Sequence, residues 1–372
     1  MAANGNSASM RPREIYNEMK KDIIGQDLVL KYVSVAIFKH VCGEKYGNII
    51  MIGNSGTGKT SVMKAMEKLY MKNPFFAKHR VVVRMNANSM ANEEGTVITG
   101  HQLFRTLQER ALHILGKEST PEKVQEYIEH STVCMDEIDK ITAYVGGKPN
   151  VVGINIQQSL LTLMEGESVV FDTHFLQDGE FKPYQMNIDT SNILFICGGA
   201  FEELYNQVYA RVFEEGKQDK LTKMVMGEDG KVEFKQIFTL KENLMQEDIF
   251  KYGMMPQFLS RFDNSIVLED LTADDLETIF TEPEESVFNI SRRFFKRFNI
   301  ELNITKKARR LVASEAAKNT RVGARALKDT YGRIIKQFEF DPFEHECVRK
   351  LGENQYELTI DEGIVKDALG IK

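Results

Sequence analysis

Glycines, a lysine and a hydroxyl side chain are combined in one short run near the start of the chain, Gly53-Asn54-Ser55-Gly56-Thr57-Gly58-Lys59-Thr60. Glycine adopts backbone angles closed to other residues, so consecutive N–H groups can turn inward around an anion. Lys59 supplies a cation for phosphate oxygens, and the Thr60 hydroxyl is an oxygen ligand suited to Mg²⁺. The run matches the Walker A pattern in full and predicts a phosphate-binding loop.

Two predicted elements position this loop. The apolar run 48–52 precedes it as a buried strand, and residues 61–69 follow it with helical spacing. This strand–loop–helix order is the context that the pattern requires, whereas a plain glycine-rich turn would not need it. The helix N-terminus adds partial positive charge at the same place. The residues expected to bind a nucleotide here are Asn54, Ser55, Gly56, Thr57, Gly58, Lys59, Thr60 and Ser61.

A second run, Val133-Cys134-Met135-Asp136-Glu137, is an apolar strand that ends in two acids. Strand ends often carry acids, but downstream of a full Walker A motif this is the Walker B pattern. Asp136 would then hold Mg²⁺ together with Thr60, and Glu137 would polarise the attacking water. The sequence predicts ATP hydrolysis with Lys59, Asp136 and Glu137 as catalytic residues, and ATP and Mg²⁺ as the ligands.

The rest of the chain indicates which scaffold carries these motifs. Short apolar runs alternate with helical patterns, which predicts an α/β core with a parallel sheet buried on both faces. The runs are 48–52, 81–85, 132–135 and 193–197. After about Asp263 a capping box at residues 272–275 and an alternating run at 355–360 predict a small α-rich domain with its own sheet. The expected divisions are an N-terminal arm (1–12), a large ATPase domain (13–266) and a small C-terminal domain (267–372).

Composition narrows the class of protein. A formal net charge of -6 over 372 residues argues against a general nucleic-acid coat. The longest apolar runs are only strand-sized, so we expect no membrane span and a cytoplasmic protein. The four cysteines form no C-x-x-C pair, which argues against a zinc site or a disulfide framework.

Further segments follow the two motifs in the order typical of the ClpX and HslU group of AAA+ unfoldases, which the chain resembles from about Ile23 to about Asp341. They are Ile23-Ile24-Gly25-Gln26-Asp27, Asp136 to Ile141, Gln157-Gln158 to Gly166, Ile193 to Phe201, Met255 to Arg261 and Gly323 to Leu327. The resemblance implies an AAA+ P-loop fold and a homo-oligomer, commonly a hexamer, that acts on a protein substrate.

The resemblance also implies roles for single residues. Ile23, Ile24 and Gly25 would pack against the adenine. Arg261 would reach the γ-phosphate bound by the neighbouring subunit, and Arg325 would touch the nucleotide of its own subunit. A surface or salt-bridge arginine is the alternative at each of these two positions.

Departures from the group's pattern qualify the expected activity. We find no counterpart of the ClpX zinc domain ahead of Ile23, and no glycine-phenylalanine loop of the kind that docks on the ClpP peptidase.

The pore loops also differ from the group's pattern. Ile98 occupies the position at which the first pore loop of the group carries an aromatic residue. Tyr144-Val145-Gly146 has the pore signature but follows Walker B, so it is either a channel loop or a glycine-rich turn. The fourth strand ends in Gly198-Gly199, which leaves the polar sensor-1 residue unnamed. We expect a motor that remodels, unfolds or disassembles a protein partner without ClpP.

Two alternatives stay open at this point, a nucleic-acid-associated motor and a nucleotide-gated scaffold. The basic and aromatic stretch 292–298 favours the former because interleaved aromatics and cations bind nucleic acid. However, Phe288, Phe295 and Phe298 share roughly one helical face, which is typical of a core stripe with a solvated basic back. We therefore expect no nucleic-acid partner.

Overall fold

The computed structural model describes residues 10–44, 47–92, 95–177, 179–217, 222–226, 232–236, 238–319 and 322–371. Within them the chain divides into two compact units. The first holds the described residues up to Lys20, together with Asp27–Gly53 and Lys59–Leu268. The second holds Lys21–Gln26, Asn54–Gly58 and the described residues from Glu269 onward.

The first unit alternates strands and helices along most of its length. Its helices are α1 (Pro12–Lys20), α2 (Asp27–Val41), α3 (Lys59–Lys72), α4 (His101–Leu115), α5 (Pro121–Glu129), α6 (Val151–Met164), α7 (Leu204–Glu214), α8 (Leu240–Asn243), α9 (Gln246–Tyr252) and α10 (Pro256–Leu259). Its strands are β1 (Ile49–Ile52), β2 (Val82–Asn86), β3 (Thr132–Asp136), β4 (Tyr144–Val145), β5 (Lys148–Pro149), β6 (Ser168–Gln177), β7 (Glu180–Asp189), β8 (Leu194–Gly199), β9 (Thr222–Met226), β10 (Val232–Gln236) and β11 (Asn264–Val267). Short 3₁₀ turns occupy Pro74–His79, Ala87–Met90, Ile138–Lys140 and Thr190–Asn192.

The central sheet of this unit is parallel, with the strand order β11-β1-β8-β3-β2. It confirms the predicted α/β fold, and the four apolar runs form β1, β2, β3 and β8. Every residue of β1 and β8 is buried, as expected for strands covered on both faces. The edge strand β11 was not predicted, because Asn264 and Ser265 interrupt its apolar pattern and only Ile266 is fully buried. It ends at Val267, one residue past the boundary expected at 266.

Antiparallel hairpins extend from this core. The longest pairs β6 with β7, and a short one pairs β4 with β5.

The described residues at the N-terminus are more ordered than the arm expected over residues 1–12, because Met10 is buried and α1 begins at Pro12. Residues 1–9 of that arm lie outside the described part of the chain. Among the described residues, no helix combines the length and the apolar character needed to cross a membrane.

The second unit is a helical layer on a small sheet. Its elements are α11 (Ala273–Thr281), α12 (Val287–Lys296), α13 (Lys306–Ala317), α14 (Arg325–Phe340) and α15 (Glu362–Leu369), with β12 (Ile300–Ile304), β13 (Val348–Gly352) and β14 (Gln355–Ile360). β14 lies between a parallel β12 and an antiparallel β13. The predicted capping box is confirmed, since Thr272 Oγ1 accepts from Asp275 N at 3.1 Å and Asp275 Oδ2 accepts from Thr272 N at 3.0 Å.

The basic and aromatic stretch is divided by the end of α12. Phe288 and Phe295 are buried in the core of the second unit, as predicted. The prediction for Phe298 is wrong, because the helix ends at Lys296 and Phe298 is exposed. Arg293 is paired with Glu285, with Nη2 3.0 Å from Oε1. The absence of a nucleic-acid partner stays a prediction.

Three histidine rings of the first unit, those of His40, His79 and His130, pack edge-on against one another. The ring of His79 lies 4.8 Å from that of His40 and 5.5 Å from that of His130, both edge-on. His40 Nε2 bonds the carbonyl of Asn192 at 2.7 Å, while the Nδ1 atoms of His40 and His79 are buried without a hydrogen-bond partner. Burial, reinforced by the neighbouring rings, lowers the pKa of His40 to about 3 and that of His79 to about 4, where Lys78 also contributes. Both rings are therefore neutral when the protein is folded at neutral pH.

This cluster makes the first unit sensitive to mild acid. As the pH falls below about 6.5, these histidines bind protons in the unfolded chain but not in the folded one, so the free energy of unfolding decreases. At pH 5 the decrease should be about 2 kcal/mol for His79. Thermal unfolding followed by circular dichroism between pH 7.5 and pH 5 should give a shallower pH dependence for His79→Gln than for wild type. The exposed His113, changed to Gln, is the control and should keep the wild-type slope. Equal slopes for His79→Gln and wild type would contradict this account.

Candidate functional site

In the first unit, α3 begins directly at the predicted phosphate-binding lysine. Lys59 is 8% exposed, and its Nζ donates to the carbonyl of Gly53 at 2.5 Å. The lysine stem runs past the end of β8, where a Cβ on Gly198 would lie 3.5 Å from Lys59 Cδ and 3.2 Å from Met63 Cε. Glycine at position 198 therefore leaves room for Met63, which a Cβ would crowd at 3.2 Å, whereas 3.5 Å to Lys59 is an ordinary contact distance.

The Walker A hydroxyl and the Walker B carboxylate are in direct contact. Thr60 Oγ1 donates to Asp136 Oδ2 at 2.7 Å. The adjacent Glu137 is exposed and has a φ of 57°, in the left-handed region, with its N–H bonded to Asp136 Oδ1 at 3.0 Å. Left-handed backbone at a non-glycine residue is uncommon and often marks a functional position. The structure thus brings together three of the predicted site residues.

These oxygens fit a magnesium ion. Mg²⁺ is held in nucleotide sites by one or two protein oxygens, with water and phosphate completing its octahedron. Thr60 Oγ1 and Asp136 Oδ2 are hard oxygen donors on the solvent-accessible side of the sheet edge. Over the described residues, no group of three or more His, Cys, Asp or Glu could hold a metal ion. An ion bound by Thr60 and Asp136 would depend on phosphate and water for its other ligands.

The end of β8 is tied to the turn that follows Walker B. Asp139, whose side chain is buried, accepts from Ala200 N at 3.0 Å, and its Oδ2 lies 3.3 Å from Lys140 Nζ. This carboxylate raises the pKa of Lys140 and keeps it cationic. A Cβ on Gly199 would approach Asp139 Oδ1 to 2.8 Å, so the glycine permits the contact. Asp139 thereby fixes β8 against the Walker B turn.

In the second unit, the tip of the phosphate-binding loop contacts the segment before α14. Ala324 N donates to Gly56 O at 3.1 Å, and a Cβ on Gly56 would meet Val322 O at 2.2 Å. Only glycine allows so close an approach. Arg325, the first residue of α14, donates from Nη1 to Ser55 Oγ at 2.5 Å. The structure thus brings together the predicted loop residues and Arg325, the arginine predicted to touch the nucleotide of its own subunit.

The entry segment also belongs to the second unit. Ile23 is buried, and Ile24 and Gly25 are half-buried. Gln26, which the sequence did not single out, donates from Nε2 to Thr57 O at 3.1 Å and to Glu269 O at 2.7 Å. The entry segment therefore holds the phosphate-binding loop in place. Its packing against an adenine stays a prediction.

A carboxylate of the second unit holds the start of the loop. Asn54 Nδ2 donates to Asp270 Oδ1 at 2.9 Å. Burial raises the pKa of Asp270, and this hydrogen bond acts in the opposite direction. No sequence pattern pointed to Asp270, because it lies more than 200 residues from the loop.

Arg261 lies in the first unit, just after α10. Its guanidinium is 40% exposed and forms an ion pair with Glu165, the residue that follows α6. Asn48 Nδ2 donates to the Arg261 carbonyl at 3.2 Å, and Asn48 Oδ1 accepts from Phe195 N at 3.0 Å. The backbone of Arg261 is therefore anchored to β1 and β8, while its side chain points to Glu165 rather than to the Walker residues of the same unit.

The two candidate pore residues are exposed. Ile98 is 61% exposed in the loop before α4, and Tyr144 is 60% exposed in the β4–β5 hairpin. Gly146 and Gly147 close that hairpin with φ values of 57° and 76°. Both side chains are accessible, and a channel position for either of them stays a prediction.

Comparison with known proteins accounts for this arrangement of motifs. Residues 44–265 match the family model described as AAA domain (Cdc48 subfamily). The chain is 28% identical over 351 residues to the ATP-dependent Clp protease ATP-binding subunit ClpX of Treponema denticola, covering 89% of this chain and 77% of that protein. It is 27% identical to the subunit of the same name from Bacteroides fragilis (strain ATCC 25285), covering 94% and 80%. For that of Borrelia duttonii the identity is 29%, covering 89% and 74%. These matches confirm the resemblance predicted from the motifs.

Proposed function

The chain belongs to the AAA domain family (Cdc48 subfamily) and is a ClpX-like AAA+ ATPase, and from this premise we propose that it is a Mg²⁺-dependent motor that remodels, unfolds or disassembles a protein partner. The observation that carries the proposal is the 2.7 Å hydrogen bond between Thr60 Oγ1 and Asp136 Oδ2. This hydrogen bond joins the first turn of α3 to the last residue of β3. The two oxygens are the groups that would bind the cation of a bound nucleotide.

In the proposed mechanism the chain's own groups bind, orient and move a proton. Backbone amides of Asn54–Gly58 and the ammonium of Lys59 hold the phosphates of ATP. Thr60 and Asp136 hold Mg²⁺, which when bound neutralises phosphate charge. Glu137 accepts a proton from the water that attacks the γ-phosphorus, and ADP leaves with its β-phosphate oxygen. The exposed position of Glu137 beside Asp136 supports this role.

Two arginines complete the proposed site. Arg325 already donates to Ser55 of the loop, which supports contact with the nucleotide bound by its own subunit. Arg261 is accessible and its guanidinium is paired with Glu165, which supports action on the nucleotide of a neighbouring subunit. Glu165 would then hold Arg261 until a neighbour's phosphate replaces it. This role in trans requires a homo-oligomer, which we propose to be a hexameric ring or spiral.

The proposed substrate is a protein, as for the Clp ATP-binding subunits that the chain resembles. Two internal features support a motor that works without ClpP. The sequence contains no glycine-phenylalanine pair of the docking type, and the accessible residue at the pore position is the aliphatic Ile98. An aromatic offers more contact area to a passing peptide than isoleucine does. We therefore propose short pulls that separate a complex, without ClpP.

The role of Arg261 in trans predicts complementation between two inactive variants. Arg261→Ala should bind ATP yet lose ATPase activity, and Glu137→Gln should bind ATP and stall hydrolysis. Mixed together, they should hydrolyse ATP at interfaces that pair an intact Glu137 with an intact Arg261, as measured by phosphate release. Arg105, also in an exposed ion pair, provides the control, since Arg105→Ala should keep wild-type activity. A mixture no more active than its separate components would refute the role in trans.

The proposed absence of ClpP coupling is tested with a tagged fluorescent protein, ATP, ClpP and the wild-type ATPase. We expect no ATP-dependent loss of fluorescence with degradation. Ile98→Tyr should increase ATP-dependent pulling on an unstructured tag, because the larger ring grips it better. Ile98→Leu, which keeps an aliphatic side chain, should not. Degradation of the fluorescent protein by wild type with ClpP would remove this part of the proposal.

A further inference from the structure

A fully buried glutamine is hydrogen-bonded to two backbone segments, one that follows Glu137 and one that precedes Arg261. Gln157, in the middle of α6, is 0% exposed. Its Nε2 donates to Ile141 O at 2.7 Å and lies 3.4 Å from Gly253 O. Its Oε1 accepts from Met255 N at 2.8 Å. Both ends of the amide are therefore satisfied, which is the usual condition for burying such a group.

One of these segments is the continuation of Walker B. The 3₁₀ turn Ile138–Lys140 connects Glu137 to Ile141, with Lys140 N bonded to Glu137 O at 3.0 Å and Ile141 N to Ile138 O at 3.4 Å. The turn is short and closed by its own hydrogen bonds. It therefore links the backbone of Glu137 to the Ile141 carbonyl that Gln157 holds.

The other segment carries the arginine proposed to act in trans. Met255 is the N-cap of α10, and its N–H donates a hydrogen bond to Gln157 Oε1. Ser260 separates Arg261 from the end of α10, and the Arg261 N–H donates to Phe258 O at 3.1 Å. A second contact, from Ala143 N to Gly253 O at 2.7 Å, joins the same two segments beside Gln157.

We propose that Gln157 is a positioning residue that couples the Walker B segment of one subunit to the arginine which that subunit presents to its neighbour; this rests on the proposed role of Arg261 in trans. Gln157 does not touch the nucleotide. It fixes the start of α10 relative to Ile141, so the placement of Arg261 follows the state of the subunit's own Walker B turn.

A bridging amide suits this role better than an apolar contact. Packing of hydrophobic side chains tolerates sliding, whereas two short hydrogen bonds to opposite partners fix both distance and direction. Small misplacement of a catalytic group is costly, since a shift of about 1 Å can reduce a rate on the order of a hundredfold. Loss of Gln157 should therefore reduce hydrolysis through Arg261, without affecting ATP binding in the same subunit.

The test uses Gln157→Met, which keeps the length and apolar packing of the side chain but removes both hydrogen bonds. Gln158→Met is the matched control, because Gln158 is the adjacent residue of α6 and is exposed. Gln157→Asn is a second variant, since its amide is one methylene too short to reach both partners. Circular dichroism and native mass spectrometry check folding and assembly, and a fluorescent nucleotide measures ATP binding.

We expect Gln157→Met alone to bind ATP like wild type and to lose about tenfold or more in kcat. Mixing it with Glu137→Gln, whose Arg261 is intact, should restore phosphate release well above the sum of the separate proteins. A residue that served only its own site would not be rescued by a neighbour. Gln158→Met should keep wild-type activity.

The Arg261→Ala and Glu137→Gln mixture, run in parallel, separates the two proposals. If that mixture is rescued but the Gln157→Met mixture is not, the coupling role is wrong while the action in trans stands. If neither is rescued, the action in trans fails and the coupling role fails with it. Wild-type kcat for Gln157→Met, or failure of both Gln157 variants to fold, also overturns the inference.

Discussion

The parallel pairing of β1 with β8 and of β8 with β3 is the constraint on which the candidate site depends. Parallel strands end at the same edge of a sheet, so the first turn of α3, which follows β1 in the chain, can contact Asp136 at the end of β3. The Thr60–Asp136 hydrogen bond is the direct result. A one-residue slip of β3 would turn Asp136 to the opposite face of the sheet and separate the two motifs.

Glycines near the candidate site allow neighbouring segments to approach one another closely. Gly198 leaves room for Met63 of α3, and Gly199 for the contact of Asp139 with Ala200. In the second unit, Gly56 lies so near Val322 that no side chain fits. These glycines serve packing between neighbouring segments, whereas the proposed phosphate binding uses the backbone amides of the loop and Lys59.

The sequence was sufficient wherever the signal is local. The Walker motifs, four strands of the sheet and the Thr272 capping box depend on residues close together in the chain, and their physical basis is visible there. The sequence was insufficient where two contacting residues lie far apart in the chain. Only the fold shows the contacts of Gln26 with Glu269, of Arg261 with Glu165, and of Gln157 with Met255. The edge strand β11 and the exposed Phe298 were missed because burial at a sheet edge or past a helix end is not set by periodicity.

The central claim is that hydrolysis needs an arginine from a neighbouring subunit. The most direct measurement is the ATPase rate per subunit over a wide range of protein concentration at saturating ATP and Mg²⁺, with assembly followed in the same samples by mass photometry. The account predicts that the rate per subunit is very low for the monomer and rises together with the oligomer. A rate per subunit that stays constant while the protein passes from monomer to oligomer would contradict it.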